Sequence, residues 1–291
     1  MNEILKIKDL NKSFGKLKVL RDFTMTMEKG KVHGLLGRNG EGKTTLIRMI
    51  MGVIPADGGE IFYKEKKISF NDSSYKKEIG YIPEDPFFYD WMTLKELLDF
   101  NSSFYPAWES AKAEDYLGRF SLDKKMKIKN LSRGMKLKLE LIMALATEPE
   151  LLILDDPTSG LDVPTRQDFL KNIIHELSEA GTAILFSTHL VHELERIVEH
   201  LSILHGGGLV LDQDYERVKE STRRARLTFT DSCPEKLDLE GILSDERSGN
   251  RMEMVIYPWN EEKEKKLKMF NPVNLEVEAL TLEEIFSSFV S

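Results

Sequence analysis

Residues 32–51 read VHGLLGRNGEGKTTLIRMIM, and this stretch decides the fold. Val32 to Leu36 reads as a buried strand. It runs into Gly37-Arg38-Asn39-Gly40-Glu41-Gly42-Lys43-Thr44, which fits the pattern of glycine, four residues, glycine, lysine and serine or threonine. From Thr44 to Met51 the apolar residues recur at helical spacing, so the order is strand, glycine-rich loop, helix. Glycines let the backbone curl until successive N–H groups face phosphate oxygens, and the helix beginning at Thr44 adds the positive end of its dipole. Lys43 supplies a cation for the β- and γ-phosphates, and the Thr44 hydroxyl is placed to ligate magnesium. Binding of a nucleoside triphosphate follows from the motif in this context. Glu41 puts a carboxylate inside an anion-binding loop, so its side chain is expected to point outward to solvent.

Upstream, alternation in Ile4 to Ile7 and in Phe23 to Met27 predicts an antiparallel β-layer, and downstream Gly58-Gly59 marks a turn before a strand at Glu60 to Tyr63. From Thr93 to Phe120 the period becomes helical, with Leu94, Leu97, Leu98 and Asn101 on neighbouring turns and Pro106 interrupting the run. A helical insert over about residues 85–145 is expected, ending in an amphipathic helix from Ser132 to Leu145. Leu151 to Leu154 is wholly apolar, as strands of parallel sheets are, and a helix over Thr165 to Glu179 precedes another apolar strand at Ala183 to Phe186. That alternation is α/β. The charged stretch Lys219 to Arg226 carries no apolar periodicity and is placed as the boundary between a principal domain, 1–219, and a small α+β appendage, 220–291. Within the appendage Leu227 to Thr230 and Met252 to Tyr257 read as strands, and Thr281 with Glu284 forms a capping box that opens a terminal helix.

A chain of 291 residues suits one principal domain with a smaller addition, and 41% hydrophobic with 31% charged residues is the composition of a chain that folds. The formal charge of −8 argues against a protein that coats nucleic acid. Cys233 is the only cysteine, which excludes an internal disulfide, and the start MNEILKIKDL lacks the apolar core of a secretory signal, so the cytoplasm is expected. The longest apolar runs, around Leu139 to Ala146 and Leu151 to Leu154, fall far short of the roughly 18–20 residues that span a bilayer. Glu261 to Lys266 reads as the solvated face of a helix.

Leu131-Ser132-Arg133-Gly134-Met135, a following helix and then Leu151-Leu152-Ile153-Leu154-Asp155-Asp156-Pro157 resemble the signature motif and Walker B of ABC ATPases in order and spacing. Ser159-Gly160-Leu161-Asp162 is similar to the family's D-loop, and Ser187-Thr188-His189 to its switch histidine. Ile79-Gly80-Tyr81-Ile82-Pro83-Glu84 falls at its Q-loop. With the glycine-rich loop, these motifs cover about residues 1–215.

The resemblance implies an ATP-binding and ATP-hydrolysing motor subunit of an ABC transporter, with ATP and Mg2+ as cofactors. It implies that ATP lies between one subunit's Gly37, Asn39, Gly40, Gly42, Lys43, Thr44 and Thr45 and a second subunit's Ser132 and Gly134, with Asp162 at the join. Magnesium falls to Thr44, Asp155 and Glu84, the attacking water to Asp156, and the γ-phosphate to His189. Adenine falls to the ring of Phe14, in Lys12-Ser13-Phe14-Gly15. The implied partners are a second ATPase subunit, identical or related, and a separately encoded integral membrane permease that holds the chain at the inner face of the cell membrane; no nucleic acid is expected. Phe87, Phe88, Tyr89 and Trp91 lie in the insert, where the family receives a coupling helix, and as exposed aromatics would suit such a groove.

Several positions depart from the family pattern. Glu84 stands for the usual glutamine, and Arg133 and Met135 stand for a glycine and a glutamine of the signature. Asp156 stands where active members usually carry glutamate. Being one methylene shorter, its carboxylate sits about 1 Å further back, and misplacement on that scale can cost about 10²-fold, so slow hydrolysis is expected. The alternatives are a weakly hydrolysing regulatory subunit and a soluble ABC protein acting on ribosomes or DNA. The latter generally carries two ATPase units or a long coiled coil, whereas this chain has one motif set and no sustained heptads.

Overall fold

The N-terminal alternation becomes two long strands, β1 (Glu3–Phe14) and β2 (Leu17–Glu28), in the computed structural model, which describes residues 2–234 and 237–290. Then come β3 (Val32–Leu36), α1 (Lys43–Ile50), β4 (Gly58–Tyr63) and β5 (Lys66–Ile68), and the first sheet has the order β2-β1-β4-β5. After β6 (Ile79–Ile82) the insert supplies α2 (Leu94–Ser102), α3 (Ser110–Arg119) and α4 (Arg133–Leu145). The next strands and helices are β7 (Leu151–Asp155), α5 (Val163–Asp168), α6 (His175–Glu179), β8 (Ala183–Thr188), α7 (Val191–Leu194), β9 (His200–His205) and β10 (Gly208–Asp214).

The central sheet runs β10-β9-β3-β8-β7-β6 and is parallel except for the β9–β10 hairpin. Because strand side chains alternate, Leu151 and Ile153 meet the β-layer and α1, while Leu152 and Leu154 meet helices on the opposite face. Every residue of β3, β7 and β8 is buried, as a sheet covered on both faces requires. Helix α4 has two apolar stripes. Leu137, Leu141 and Leu145 pack toward the sheet, and Leu139, Ile142 and Ala146 join Leu94, Leu97, Leu98 and Leu117 in the core of the insert.

Two expectations are corrected here. The helix read over Thr165 to Glu179 is broken by a wider π-turn at Phe169–Ile174 between α5 and α6. Phe169, Ile173 and Ile174 are all buried, a spacing that a regular helix also satisfies, so the wider turn leaves no mark in the apolar pattern. Of the four aromatics read as exposed, Phe87, Tyr89 and Trp91 are, but Phe88 packs on the insert core.

Beyond α8 (Tyr215–Ser221), the strand expected at Leu227 to Thr230 begins earlier, as β11 (Arg223–Thr228). It is interior to a sheet ordered β12-β13-β11-β14, with β12 (Ile242–Ser248), β13 (Arg251–Ile256) and, after α9 (Glu261–Met269), β14 (Asn274–Ala279). The charged run hid an alternation: Ala225 and Leu227 are buried, while Arg224 and Arg226 pair with Glu253 and Glu278 on the other face. The terminal helix α10 (Leu282–Phe289) opens with the expected capping box at Thr281 and Glu284, and its Ile285 and Phe286 pack back on the central sheet's cluster.

Candidate functional site

The strand order β3-β8-β7 brings three carboxyl-terminal strand ends side by side, so the loops after Leu36, Asp155 and Thr188 converge although their residues are far apart in sequence. The loop after β3 curls through Gly42 at φ 108°, a conformation that side chains avoid, and a Cβ there would stand 2.8 Å from Val19 Cγ1. The next residue, Lys43, is buried, and its ammonium donates to the carbonyls of Gly37 at 2.7 Å and Arg38 at 3.2 Å. Burial pulls its pKa down, and the carboxylates of Asp156, Asp155, Glu84 and Glu41 oppose that pull. The loop is thus a backbone cradle around a cation, with Asn39 and Gly40 exposed at its crest and Thr45 half-buried on the first turn of α1.

Thr44 Oγ1 donates to Asp155 Oδ1 at 3.2 Å. Asp155 is 1% exposed, and its Oδ2 is buried without a hydrogen-bond partner. Burial pushes its carboxyl up to about 6, with the charges of Glu84 and Asp156 adding to the rise and the Thr44 and Ser187 hydroxyls opposing it. A buried carboxylate oxygen without a partner, with the Thr44 hydroxyl on the other oxygen of the same Asp155 side chain, brings hard-oxygen donors together. Those residues fit magnesium.

Asp156 follows at φ 47°, a left-handed conformation that aspartate tolerates better than branched residues do. Its N–H donates to the Ser187 carbonyl at 2.9 Å, and its Oδ2 lies 2.7 Å from His189 Nδ1. An ionised carboxylate only accepts, so with Asp156 ionised Nδ1 carries the proton of this bond. Thr188 Oγ1 is 3.4 Å from Asp156 Oδ1 and 3.0 Å from the buried Glu193, which also accepts from Thr158 at 2.7 Å and pairs with Arg166 at 3.3 Å. The aspartate is therefore held from the end of β8.

A second corner lies at the start of α4. Ser132 is exposed and caps the helix, its Oγ accepting from the Met135 N–H at 3.3 Å. A Cβ on Gly134 would come within 3.0 Å of Thr165 Cγ2, so glycine permits the close approach of α4 to α5. Asp162 caps α5 through the Thr165 N–H at 2.9 Å and its hydroxyl at 3.0 Å, bonds that lower its pKa. Ser132, Gly134 and Asp162 thus share one exposed corner, and among the described residues no hydrogen bond links it to the glycine-rich loop. Phe14 stands half-exposed at the end of β1, with the Lys12 ammonium 5.4 Å from its ring centre.

Residues 20–159 match the family described as ABC transporter. Over 283 residues, 97% of either chain, the sequence is 31% identical to the ABC transporter ATP-binding protein YtrB of Bacillus subtilis strain 168. This chain belongs to the ABC transporter ATP-binding proteins. It is also 34% identical over 227 residues to the bacitracin transport ATP-binding protein BcrA of Bacillus licheniformis, covering 77% of this chain and 74% of that one. A solved structure of the ATP-binding subunit of an ABC transporter superposes with a TM-score of 0.68 at 30% identity, covering 74% of this chain and 92% of that chain. The protein is the ATP-binding subunit of an ABC transporter, a membership that implies ATP hydrolysis and a permease partner. Among the described residues no helix is long and apolar enough to cross a membrane.

In this ABC ATPase one expectation fails and one contact is new. Glu41 does not point out to solvent: its carboxylate meets His205 Nδ1 at 3.0 Å and the Gly206 N–H at 2.8 Å, because the β9–β10 turn presents unpaired donors beside the loop. Arg133, legible only as a departure from the signature, donates from Nη2 to the Glu84 carbonyl at 2.7 Å and so ties the start of α4 to the loop after β6. Nothing local in the sequence announces either contact.

Proposed function

We propose that this subunit binds Mg2+-ATP at the Lys43 loop and hydrolyses it as one half of a dimer, each ATP being closed over by the Ser132, Gly134 and Asp162 corner of a second subunit, identical or related. The observation that carries this reading is the contrast between the two groups within one chain, one buried with a carboxylate oxygen unsatisfied, the other exposed and, among the described residues, not hydrogen-bonded to the glycine-rich loop.

In this reading Lys43 turns from the Gly37 and Arg38 carbonyls to the β- and γ-phosphates, aided by the amides of Gly37, Asn39, Gly40, Gly42 and Thr45. Thr44, Asp155 and Glu84 hold magnesium, which when bound neutralises charge on the phosphate oxygens. Asp156 accepts a proton from the attacking water. His189 steadies that carboxylate through Nδ1 and offers its other nitrogen to the γ-phosphate. Phe14 stacks on adenine. The short arm of Asp156 makes hydrolysis slow relative to a glutamate at that position. Residues 1–219 form the ATPase unit with its insert, 220–291 an accessory domain, and the insert receives a separately encoded membrane permease that keeps the subunit on the inner face of the membrane, away from nucleic acid. The bacitracin transporter among its relatives makes a peptide antibiotic the first cargo to test.

Light scattering on the Asp156→Asn variant should show a monomer without nucleotide and a dimer with Mg2+-ATP. A species that stays monomeric at saturating Mg2+-ATP, with the permease present, would overturn the proposal.

A further inference from the structure

Helix α4 carries a third stripe besides its two apolar ones. Glu140, Met143 and Ala144 of α4, with Thr147 just past its end, succeed one another along a groove of about 400 Å³, closed on its other sides by the end of α1, by β6 with the loop after it, and by α2. Glu140 is 7% exposed, and its Oε1 is buried with no hydrogen-bond partner; among the described residues no cation lies within ion-pair distance of it. Burial pushes its carboxyl up to about 8, and Arg133 and Lys136 on the same helix only partly oppose the rise. Lys76, the one lysine lining the groove among the described residues, donates to the Gly52 carbonyl at 3.2 Å. Left without a partner, a buried carboxyl is driven toward its neutral form and still keeps an unsatisfied oxygen, so an apolar residue would serve this stretch of α4 better.

The mouth of the groove continues into a row of exposed rings. Phe87, 85% exposed, meets Tyr89 edge-on at 5.6 Å between centroids. Tyr89 lies 6.1 Å from Trp91, itself 66% exposed, and 6.2 Å from Phe100, which meets Phe104 at 5.1 Å. Five neighbouring aromatics left in water form an exposed apolar patch of the kind that protein interfaces use.

We propose that Glu140 is the receptor for a lysine or arginine carried by a cytosol-facing segment of the membrane subunit, whose flanking apolar residues cover the Phe87 to Phe104 row. The inference rests on the permease reading given above and adds to it the chemistry of recognition. Pairing inside the groove supplies the charge that the fold withholds from Glu140, and the ring faces at the mouth attract the same cation as it enters. Arg133 lies two helical turns before Glu140 on α4 and grips the Glu84 carbonyl, so a pull on Glu140 reaches a residue beside Lys43 and Asp155 through one rigid helix.

The test places a photo-crosslinking amino acid at Phe87 of the full chain in membranes that hold the transporter. The expected product joins it to a polytopic membrane subunit within about one helical turn of a lysine or arginine. In the solubilised complex, Glu140→Gln should weaken association at least about ten-fold, Glu140→Asp less, and Glu140→Lys should recover when the mapped basic residue becomes glutamate. ATP affinity of Glu140→Gln should match the wild type, which controls for folding. If Phe87 captures the membrane subunit but Glu140→Gln associates as wild type does, the receptor role is wrong and the permease reading stands. If the chain co-purifies with the membrane subunit and Phe87 captures none of it, the surface is wrong. A chain that associates with no membrane subunit defeats the permease reading itself.

Discussion

The Lys43 cluster and the Ser132 corner lie on the same chain and differ in nearly every physical respect. Around Lys43 the polar groups are buried and crowded: four carboxylates act on one ammonium, and Asp155 keeps an oxygen with no partner. Around Ser132 the polar groups are exposed and individually satisfied, each capping its own helix. A buried, unsatisfied cluster gains most when ligand and cation arrive. An exposed cap gives up little when a phosphate replaces its local bond, so it suits a face that meets its ligand only when a second subunit closes. On the dimer reading proposed above, one half of the site is built in advance and the other is held ready.

That contrast breaks most sharply at Asp156. Replacing it with asparagine should slow single-turnover hydrolysis by roughly 10²–10⁴-fold while ATP still binds, the size expected for losing a general base. A wild-type rate in rapid-quench measurements would move that role to Glu84 or His189. Lys43→Ala comes next: steady-state phosphate release should drop by on the order of 10²–10³-fold, with weaker nucleotide binding in titration calorimetry, because a charge leaves the phosphate cradle. Unchanged affinity and turnover would show that the buried half does not hold the triphosphate.

Ser132→Arg probes the other half. Mg2+-ATP-driven dimerisation should weaken by about ten-fold or more, as a steric block at a closely packed contact does, while nucleotide affinity of the monomer stays nearly unchanged. Equal loss of both would place Ser132 in the wrong half. The smallest effect belongs to Glu41→Gln, which keeps the shape but weakens the ties to His205 and Gly206. Urea unfolding should register a loss of about 1 kcal/mol, with a modest rise in the ATP dissociation constant. No change in either would mean that the loop needs no anchor to the β9–β10 turn.

The parts of the site that were readable in advance are those written in consecutive residues. The glycine-rich loop, the apolar strand ending in Asp155 and Asp156, and Ser187-Thr188-His189 each carry their chemistry on a strand end, and a parallel sheet gathers strand ends along one edge. Ser132 was readable as a helix start for the same reason, since a cap is a local hydrogen bond. Where periodicity was masked the reading slipped: β11 hid among arginines paired on its outer face, and the π-turn at Phe169–Ile174 lies within a pattern that a regular helix also satisfies.

By itself, then, the order of motifs determined the family, the α/β class and which residues stand at the nucleotide loop, because those properties depend on hydrogen bonds and apolar periods a few residues long. The tertiary structure alone decided that Glu41 clasps a turn 164 residues away, that Arg133 reaches the Glu84 carbonyl, and that Glu140 is shut into a groove without a counter-charge. Each of those outcomes rests on which surfaces meet once the central sheet and the insert have packed, and burial and charge pairing across that distance leave no mark in neighbouring residues.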